Sequence, residues 1–193
     1  MGAHDYVTKE NITKELPQQV LALLKANSQQ TINIKSIISS GETSHIEFKS
    51  TLRFNLRANK IDPIIELSTL KTIAAFLNSS GGMLIIGVSD EGTILGLEQD
   101  KFKNMDSLQL HFWNLLRQTI GPEFSEFIKA NIINVDNKFV LSVLCNASNR
   151  PVFLKWKESG EPNYQDIFYI RAGPQTERLG TRQAIEYIKD HYP

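Results

Sequence analysis

Three acidic residues have the setting required for metal-ion chemistry on a phosphate ester. Glu42 lies in a turn cluster, Glu47 on the polar side of an alternating strand, and Asp90 in the turn after a buried strand. If the two strands are neighbours, we expect the carboxylates to converge at one edge of the sheet. Clustered carboxylates suit Mg²⁺ or Mn²⁺, which can activate water and stabilise charge on a phosphodiester. The alternative is that Glu42 and Asp90 are turn residues and Glu47 pairs with Lys49 or an arginine.

The basic residues form a second candidate feature. A phosphate-binding surface requires several cations on one face, whereas dispersed cations are ordinary solvated charge. The sequence alone leaves both interpretations open. The candidates for contact with nucleic acid are Arg53, Arg57, Lys60, Lys71, Arg171 and Arg178.

Other common site patterns are missing from the sequence. The glycines Gly81 and Gly82 precede the buried strand instead of following it, and there is no GxxxxGK[ST] pattern, so a phosphate-binding loop is not expected here. The four histidines are scattered and unaccompanied by cysteines, which argues against zinc. No GxSxG motif is present.

Composition indicates an ordinary globular protein. The chain has 193 residues, 41% of them hydrophobic, and a formal net charge of zero, so any surface for nucleic acid must be a local patch. The single cysteine, Cys145, excludes an internal disulfide and suits a cytoplasmic location, and we expect it to be buried and inert. The apolar runs are too short for a membrane span, so no membrane partner is expected.

The elements that position these residues centre on Leu70–Leu97, which has the pattern of a helix end, a Gly-Gly turn and a buried strand. The fold class predicted is α/β (α+β), one compact domain with a mixed, mostly antiparallel sheet flanked by helices. We expect residues 1–39 to form an N-terminal helix and a connection, and residues 40–193 to form the domain. The elements predicted are an amphipathic helix over Asn11–Asn27, a short strand or connection over Ile34–Ile38, an alternating strand over His45–Ser50, an irregular segment or hairpin over Ser50–Ile61, a helix over Pro63–Asn78 capped by Asp62, strands over Met83–Val88 and Thr93–Leu95, a helix over Asp106–Thr119 capped by Asp106, a hairpin of Ile128–Val135 with Lys138–Cys145, strands over Pro151–Leu154 and Asp166–Arg171, and a helix over Thr181–His191.

Four stretches carry a resemblance to a known family: GETSHIEFKSTLR, LKTIAAFLNSSGGMLIIGVSDEGTILGL, PVFLK and FYIRAG. Over about Ser40–Tyr187 the chain resembles the Schlafen AlbA-like nucleic-acid-binding domain. In animal Schlafens that cleave tRNA, two glutamates and an aspartate form the active site, and the resemblance places them at Glu42, Glu47 and Asp90. This chain departs from those nucleases because it has one lobe instead of two, a neutral charge and no zinc-site cysteines. A homodimer would restore a two-lobed shape.

The function hypotheses belong to three classes. The first is a nucleic-acid-binding module, for RNA or DNA, of a bacterial or archaeal regulatory or defence protein. The second is a Mg²⁺- or Mn²⁺-dependent endoribonuclease that uses Glu42, Glu47 and Asp90, with Lys49 steadying the scissile phosphate. The third is an assembly domain that does not contact nucleic acid.

Overall fold

In a computed structural model, the chain is described at residue 29 and over residues 33–157 and 160–192. The amphipathic helix predicted for Asn11–Asn27 lies outside the described residues. The prediction of a strand or connection over Ile34–Ile38 is wrong, because residues 33–40 are helical (α1). Ile34 and Ile38 are four residues apart on one face of α1 and are buried against the sheet, so helical spacing outweighed the β-propensity of the isoleucines.

The described residues form nine strands, and the largest sheet has four of them. Its order is β1-β4-β6-β5, in which β1 and β4 are parallel neighbours and the other pairs are antiparallel. The predicted mixed, mostly antiparallel sheet is therefore confirmed. The strands are β1 (Ile46–Lys49), β2 (Phe54–Asn55), β3 (Lys60–Ile61), β4 (Gly82–Ile86), β5 (Ile128–Val135), β6 (Lys138–Cys145), β7 (Phe153–Trp156), β8 (Gln165–Ala172) and β9 (Gln175–Leu179).

A second, three-stranded sheet has the order β7-β8-β9, with all pairs antiparallel. Strand β9 was not predicted from the sequence. Gly173 and Pro174 form the two-residue turn that leads from β8 into β9, with Gly173 at φ 61°. The predicted strand over Thr93–Leu95 is also wrong: the structure has only an isolated bridge between Val88 and Ile94 there.

Three further helices complete the described fold: α2 (Pro63–Leu77), α3 (Met105–Thr119) and α4 (Thr181–His191). The Asp62 side chain caps α2 as predicted, by accepting a hydrogen bond from the Ile64 N–H at 3.0 Å. The cap of α3 is Asn104 instead of the predicted Asp106, since Asn104 and Ser107 exchange the two hydrogen bonds of a capping box. None of these helices combines the length and hydropathy needed to cross a membrane.

The two faces of the four-stranded sheet support separate cores. One face packs on α2 and α3 through residues such as Leu84 and Val143, and this core extends to the three-stranded sheet. The other face packs on α1 through Phe48 and Ile85. Helix α2 thus contacts both sheets, and its residues Ser68, Lys71 and Thr72 line a space beside β1.

Candidate nucleic-acid interface

The Glu47 carboxylate lies between two cations contributed by β1 and β8. Its Oε1 accepts a hydrogen bond from Lys49 Nζ at 2.5 Å, and its Oε2 accepts one from Arg171 Nη2 at 2.7 Å. The side chains of Arg171 and Glu47 are only 4% and 15% exposed. Charge-assisted hydrogen bonds of this kind are stronger than neutral ones and fix the geometry of both partners. The pairing considered as the alternative role of Glu47 is therefore present.

Arg171 connects two parts of the chain through hydrogen bonds. Its Nε donates to the Ser44 carbonyl at 3.2 Å, its Nη2 to the Thr43 carbonyl at 3.2 Å, and its Nη1 to Thr176 Oγ1 at 3.0 Å. These bonds tie the segment before β1 to the hairpin of β8 and β9. The buried Arg171 guanidinium therefore fixes the position of the Glu47 carboxylate.

A polar cleft of about 360 Å³ lies beside this ion pair, between β1, α2 and the turn from β8 to β9. Alternation along β1 directs Phe48 towards α1 and directs Glu47 and Lys49 to the opposite face. We call this space the Lys49–Lys71 cleft. Its lining residues are Glu47, Lys49, Ser68, Lys71, Thr72, Pro174, Gln175 and Thr176.

Helix α2 contributes the Ser68 hydroxyl and the Lys71 ammonium to the Lys49–Lys71 cleft as hydrogen-bond donors, whereas the Thr72 hydroxyl donates to the Ser68 carbonyl at 3.3 Å. Ser68, Lys71 and Thr72 share one helical face because they are three and four residues apart. The Lys71 Nζ lies 5.6 Å from the centroid of the Tyr169 ring. Hydroxyl, amide and ammonium groups all donate to an anionic oxygen. The cleft therefore has the chemistry to take a phosphate group.

The other two predicted acids lie elsewhere. The Glu42 Oε1 accepts a hydrogen bond from the Phe48 N–H at 2.7 Å, which satisfies a donor at the edge of β1. Asp90 lines a separate space of about 310 Å³ with Gly41, at the end of α1. Strands β1 and β4 are neighbours, which meets the condition set for convergence of the acids, but Glu47 lines the cleft beside α2 whereas Asp90 lies at the end of α1.

Both carboxylate oxygens of Glu47 and the Oε1 of Glu42 are engaged by protein donors and are not free for Mg²⁺ or Mn²⁺. Both oxygens of Glu47 accept hydrogen bonds from cations, and Glu42 accepts one from the backbone. Within residues 33–157 and 160–192 no cluster of three or more His, Cys, Asp or Glu side chains could hold a metal ion. In this arrangement the acids do not fit a divalent cation. Their catalytic and metal-binding roles, and the catalytic role of Lys49, stay predictions.

Arg53 and Lys101 place positive charge at the base of the hairpin of β2 and β3. The Arg53 guanidinium lies 3.5 Å from the Phe102 ring centroid, and Lys101 Nζ lies 4.1 Å from that of Phe54. Arg53 Nε also donates to the Asp100 carbonyl at 2.9 Å. Cations over aromatic faces keep their charge while they are held in place.

A buried carboxylate, Asp100, fixes the chain that leads into this hairpin. Its oxygens accept hydrogen bonds from the N–H groups of Leu52, Arg53 and Phe54 at 2.7 to 3.1 Å. Burial raises the pKa of the Asp100 carboxyl, and the three backbone donors oppose that shift. Asp100 thereby sets the position of the basic segment.

The hairpin and the cleft lie along one helical face. Arg57 and Lys60 are exposed on the hairpin, directly before α2. Ile64, Ser68 and Lys71 continue along one face of α2, a distance of about 10 Å at the helical rise per residue. Lys49 and Lys71 therefore line the same cleft, and Arg57 and Lys60 lie on the hairpin that directly precedes α2.

Arg178 belongs to a different surface. It lines a space of about 330 Å³ between the three-stranded sheet and α4, together with Phe168 and Ile185. Its Nη2 donates to Gln165 Oε1 at 3.2 Å. The structure does not bring Arg178 to the Lys49–Lys71 cleft.

A match to the model of a protein family identifies the family of this chain. The model of the family described as Schlafen, AlbA_2 matches residues 42–180, which is more than half of the chain. The chain belongs to the Schlafen AlbA_2 family. The family resemblance read from the four sequence motifs is confirmed.

Relatives of this Schlafen AlbA_2 chain are longer than it is. A protein of Ureaplasma parvum serovar 3 (strain ATCC 700970), named an uncharacterized ATP-binding protein, is 31% identical over 173 residues, which cover 79% of this chain and 46% of that protein. The crystal structure of the DIP2311 protein from Corynebacterium diphtheriae matches with a TM-score of 0.53 and 18% identity, over 87% of this chain and 33% of that chain. The chain spans less than half the length of either protein, and the second likeness concerns the fold alone.

Sequence reasoning missed several residues of the Schlafen AlbA_2 surface. On α2, Ser68 lies three residues before Lys71 and four before Thr72, and this polar spacing was a signal that could have identified Ser68 and Thr72. Gln175 and Thr176 depend on β9, which was not predicted. Lys101 has no local pattern, since it reaches the hairpin only through the fold.

Proposed function

We propose that this Schlafen AlbA_2 domain binds nucleic acid, with the Lys49–Lys71 cleft as the contact for a backbone phosphate. The observation that carries the proposal is the placement of two lysines and several neutral donors around one cleft. Phosphate contacts from lysines and hydroxyl groups supply most of the affinity in such complexes and fix the position of the strand.

Local charge supports the proposal although the whole chain is neutral. Lys49 and Arg171 both pair with the single Glu47 carboxylate, and Lys71 also lines the cleft, so positive charge exceeds negative charge there. Glu47 serves to hold Lys49 at the rim, since its contact with Lys49 Nζ fixes the lysine in one position. The exposed cations Arg57 and Lys60 extend this charge along the side of α2.

A binding assay with matched variants tests the proposal. Fluorescence anisotropy with labelled duplex DNA, single-stranded DNA and tRNA should show binding by the wild type at low salt. The double variant K49A/K71A should bind at least tenfold more weakly, because each phosphate contact contributes to affinity. The control K129A removes an exposed lysine from β5, on the face of the sheet opposite α2, and should bind like the wild type. Equal binding by K49A/K71A and the wild type contradicts the proposal.

The name of the Ureaplasma relative raises a nucleotide as the source of the phosphate. ATP and a nucleic-acid backbone share the phosphate chemistry that the cleft would recognise. Adding ATP without metal as a competitor in the same anisotropy assay separates the two sources. Displacement of nucleic acid at micromolar ATP, with ATP binding lost in K49A/K71A, would assign the cleft to a nucleotide.

The endoribonuclease hypothesis remains a separate prediction. Its test is incubation of the protein with tRNA and Mn²⁺ beside Glu47→Ala. Cleavage that disappears in the variant would support the enzyme, whereas salt-sensitive binding without cleavage would support the binding module. The predicted dimer is tested by light scattering on the same sample, and a monomer would remove the two-lobed arrangement.

A further inference from the structure

The hairpin of β2 and β3 exposes apolar side chains beside basic ones. Leu56 and Ile61 of the hairpin are 44% and 52% exposed, and Ile64, in the first turn of α2, is 66% exposed. Arg57 and Lys60 are exposed on the same short hairpin. Large apolar side chains grouped at the surface usually mark a contact with another molecule.

The tip of this hairpin is held in one conformation. Asn55 Oδ1 accepts hydrogen bonds from the N–H groups of Arg57 at 3.1 Å and Ala58 at 3.0 Å. Asn55 Nδ2 donates to Asp62 Oδ2 at 3.0 Å, which links the tip to the cap of α2. The hairpin therefore presents Leu56 and Arg57 without a large ordering cost on binding.

The base of the hairpin is also fixed and is flanked by cations. The Asp100 carboxylate holds the backbone of Leu52, Arg53 and Phe54. Lys101 lies over the Phe54 ring. Protein–protein contact surfaces are depleted in lysine, whereas lysines around a protruding hairpin complement a polyanion.

The combination points to one kind of partner. Proteins that bind the minor groove of DNA place arginine or lysine in the groove and insert an apolar wedge such as leucine between base steps. The minor groove of duplex RNA is wide and shallow and is recognised mostly through 2′-hydroxyls, which an apolar tip does not bond. A narrow ribbon with Leu56 and Arg57 at its tip fits the DNA groove better.

We propose that the hairpin Phe54–Ile61 enters the minor groove of duplex DNA, with Leu56 as the wedge and Arg57 within the groove. Lys60 and Lys101 contact the phosphates on either side. The inference rests on the proposed function and adds to it the kind of nucleic acid and the groove that is contacted.

The first test measures affinity and bending together. A duplex of about 20 base pairs carries a donor and an acceptor fluorophore at its ends, and energy transfer reports the bend that a wedge produces. L56A should lose the change in energy transfer, and L56A and R57A should each bind about tenfold more weakly, as for a central contact residue. The control I185A alters an apolar side chain that is 51% exposed on α4, and should bind and bend like the wild type.

The second test asks which groove is occupied. Netropsin, a minor-groove ligand, should displace the protein from an A·T-rich duplex, and methyl green, a major-groove ligand, should not. L56A and R57A with wild-type affinity and bending would overturn the inference, and so would displacement by methyl green or tighter binding of duplex RNA. If these results accompany weak binding by K49A/K71A, the proposed function stands and only the hairpin inference fails; if the wild type binds no nucleic acid, both fail.

Discussion

Individual side chains in this domain are defined by partners that are distant in sequence. The Glu47 carboxylate has the position expected of a family active-site acid, yet it is held by Lys49 on the same strand and by Arg171 from another sheet. The sequence indicated the candidate and one of the alternatives, but it could not decide between them. The contact with Arg171 joins residues 124 apart, and the catalytic role of Glu47 stays a prediction.

Asp100 illustrates what the sequence alone could not indicate. It lies in a short 3₁₀ helix, Glu98–Asp100, where an acidic residue would ordinarily be regarded as a solvated turn residue. Its three N–H donors, from Leu52, Arg53 and Phe54, are 46 to 48 residues away. No periodicity or motif connects those positions.

Replacement of Asp100 should destabilise the fold. Asp100→Ala leaves three buried N–H groups without an acceptor and should lower the free energy of unfolding by about 3 kcal/mol or more, since each such group costs about 1–3 kcal/mol. Asp100→Asn keeps one oxygen but directs an amide towards the Leu52 N–H, so a smaller loss of about 1–3 kcal/mol is expected. Urea unfolding measures both. The control Asp166→Asn, at an exposed position, should stay within about 0.5 kcal/mol of the wild type, and an unchanged Asp100→Ala variant would refute the role given to Asp100.

The buried thiol of Cys145 predicts how the free energy of unfolding changes with pH. Burial raises the pKa of its thiol from 9.0 to about 12, so the folded protein keeps the thiol neutral where the unfolded chain would ionise it. The stabilisation is present below pH 9 and is lost as the pH rises from 9 towards 12. Relative to Cys145→Ala, the wild type should lose about 1.4 kcal/mol of unfolding free energy per pH unit in that window.

Thiol chemistry supplies the direct measurement for Cys145. A chromogenic disulfide reagent at pH 8 should react slowly with the native protein and rapidly in concentrated urea. Rapid reaction of the native protein would show that the thiol is accessible and would contradict its burial.

At the scale of elements, local patterns and long-range pairing differ in how well they could be predicted. Helix α2 and the hairpin of β5 and β6 were predicted within one or two residues, because caps, apolar spacing and the Asp136-Asn137 turn are local signals. Strand β9 was missed because its sequence, QTERL, is mostly polar and directly follows Gly173 and Pro174, residue types that usually end a strand. Its strand conformation depends on pairing with β8.

Asn78 joins three elements at the end of α2. Its Nδ2 donates to the carbonyls of Val152 at 2.8 Å and Tyr169 at 2.9 Å, and its Oδ1 accepts from the Val152 N–H at 2.8 Å and the Tyr192 hydroxyl at 3.1 Å. The side chain therefore uses both of its donors and accepts twice in a buried position. It links α2 to the three-stranded sheet and to the residue after α4.

Asn78→Asp should break this junction. The substitution places an oxygen against two buried carbonyls, and a buried unpaired charge costs about 3–5 kcal/mol. Thermal and urea unfolding should both show the loss. The exposed control Asn131→Asp should be nearly neutral, and an Asn78→Asp variant as stable as the wild type would show that the junction contributes little.

At the scale of the whole molecule, a chain with zero net charge can bind a polyanion only where its cations are concentrated on one surface. The Lys49–Lys71 cleft and the basic hairpin lie on the α2 side, whereas Lys129 lies on the opposite face of the four-stranded sheet. Binding through this side should release counterions in proportion to the cations that contact phosphates. The family membership establishes the fold, and the cleft is the location proposed for the contact with nucleic acid.

The dependence of affinity on salt tests the central claim most directly. The association constant of labelled duplex DNA is measured by anisotropy between 50 and 200 mM salt for the wild type, K49A/K71A and K129A. Each lost phosphate contact reduces the slope of log K against log salt by about 0.9, so K49A/K71A should have a slope smaller by about two, while K129A keeps the wild-type slope. A wild-type slope and affinity in K49A/K71A would contradict the account.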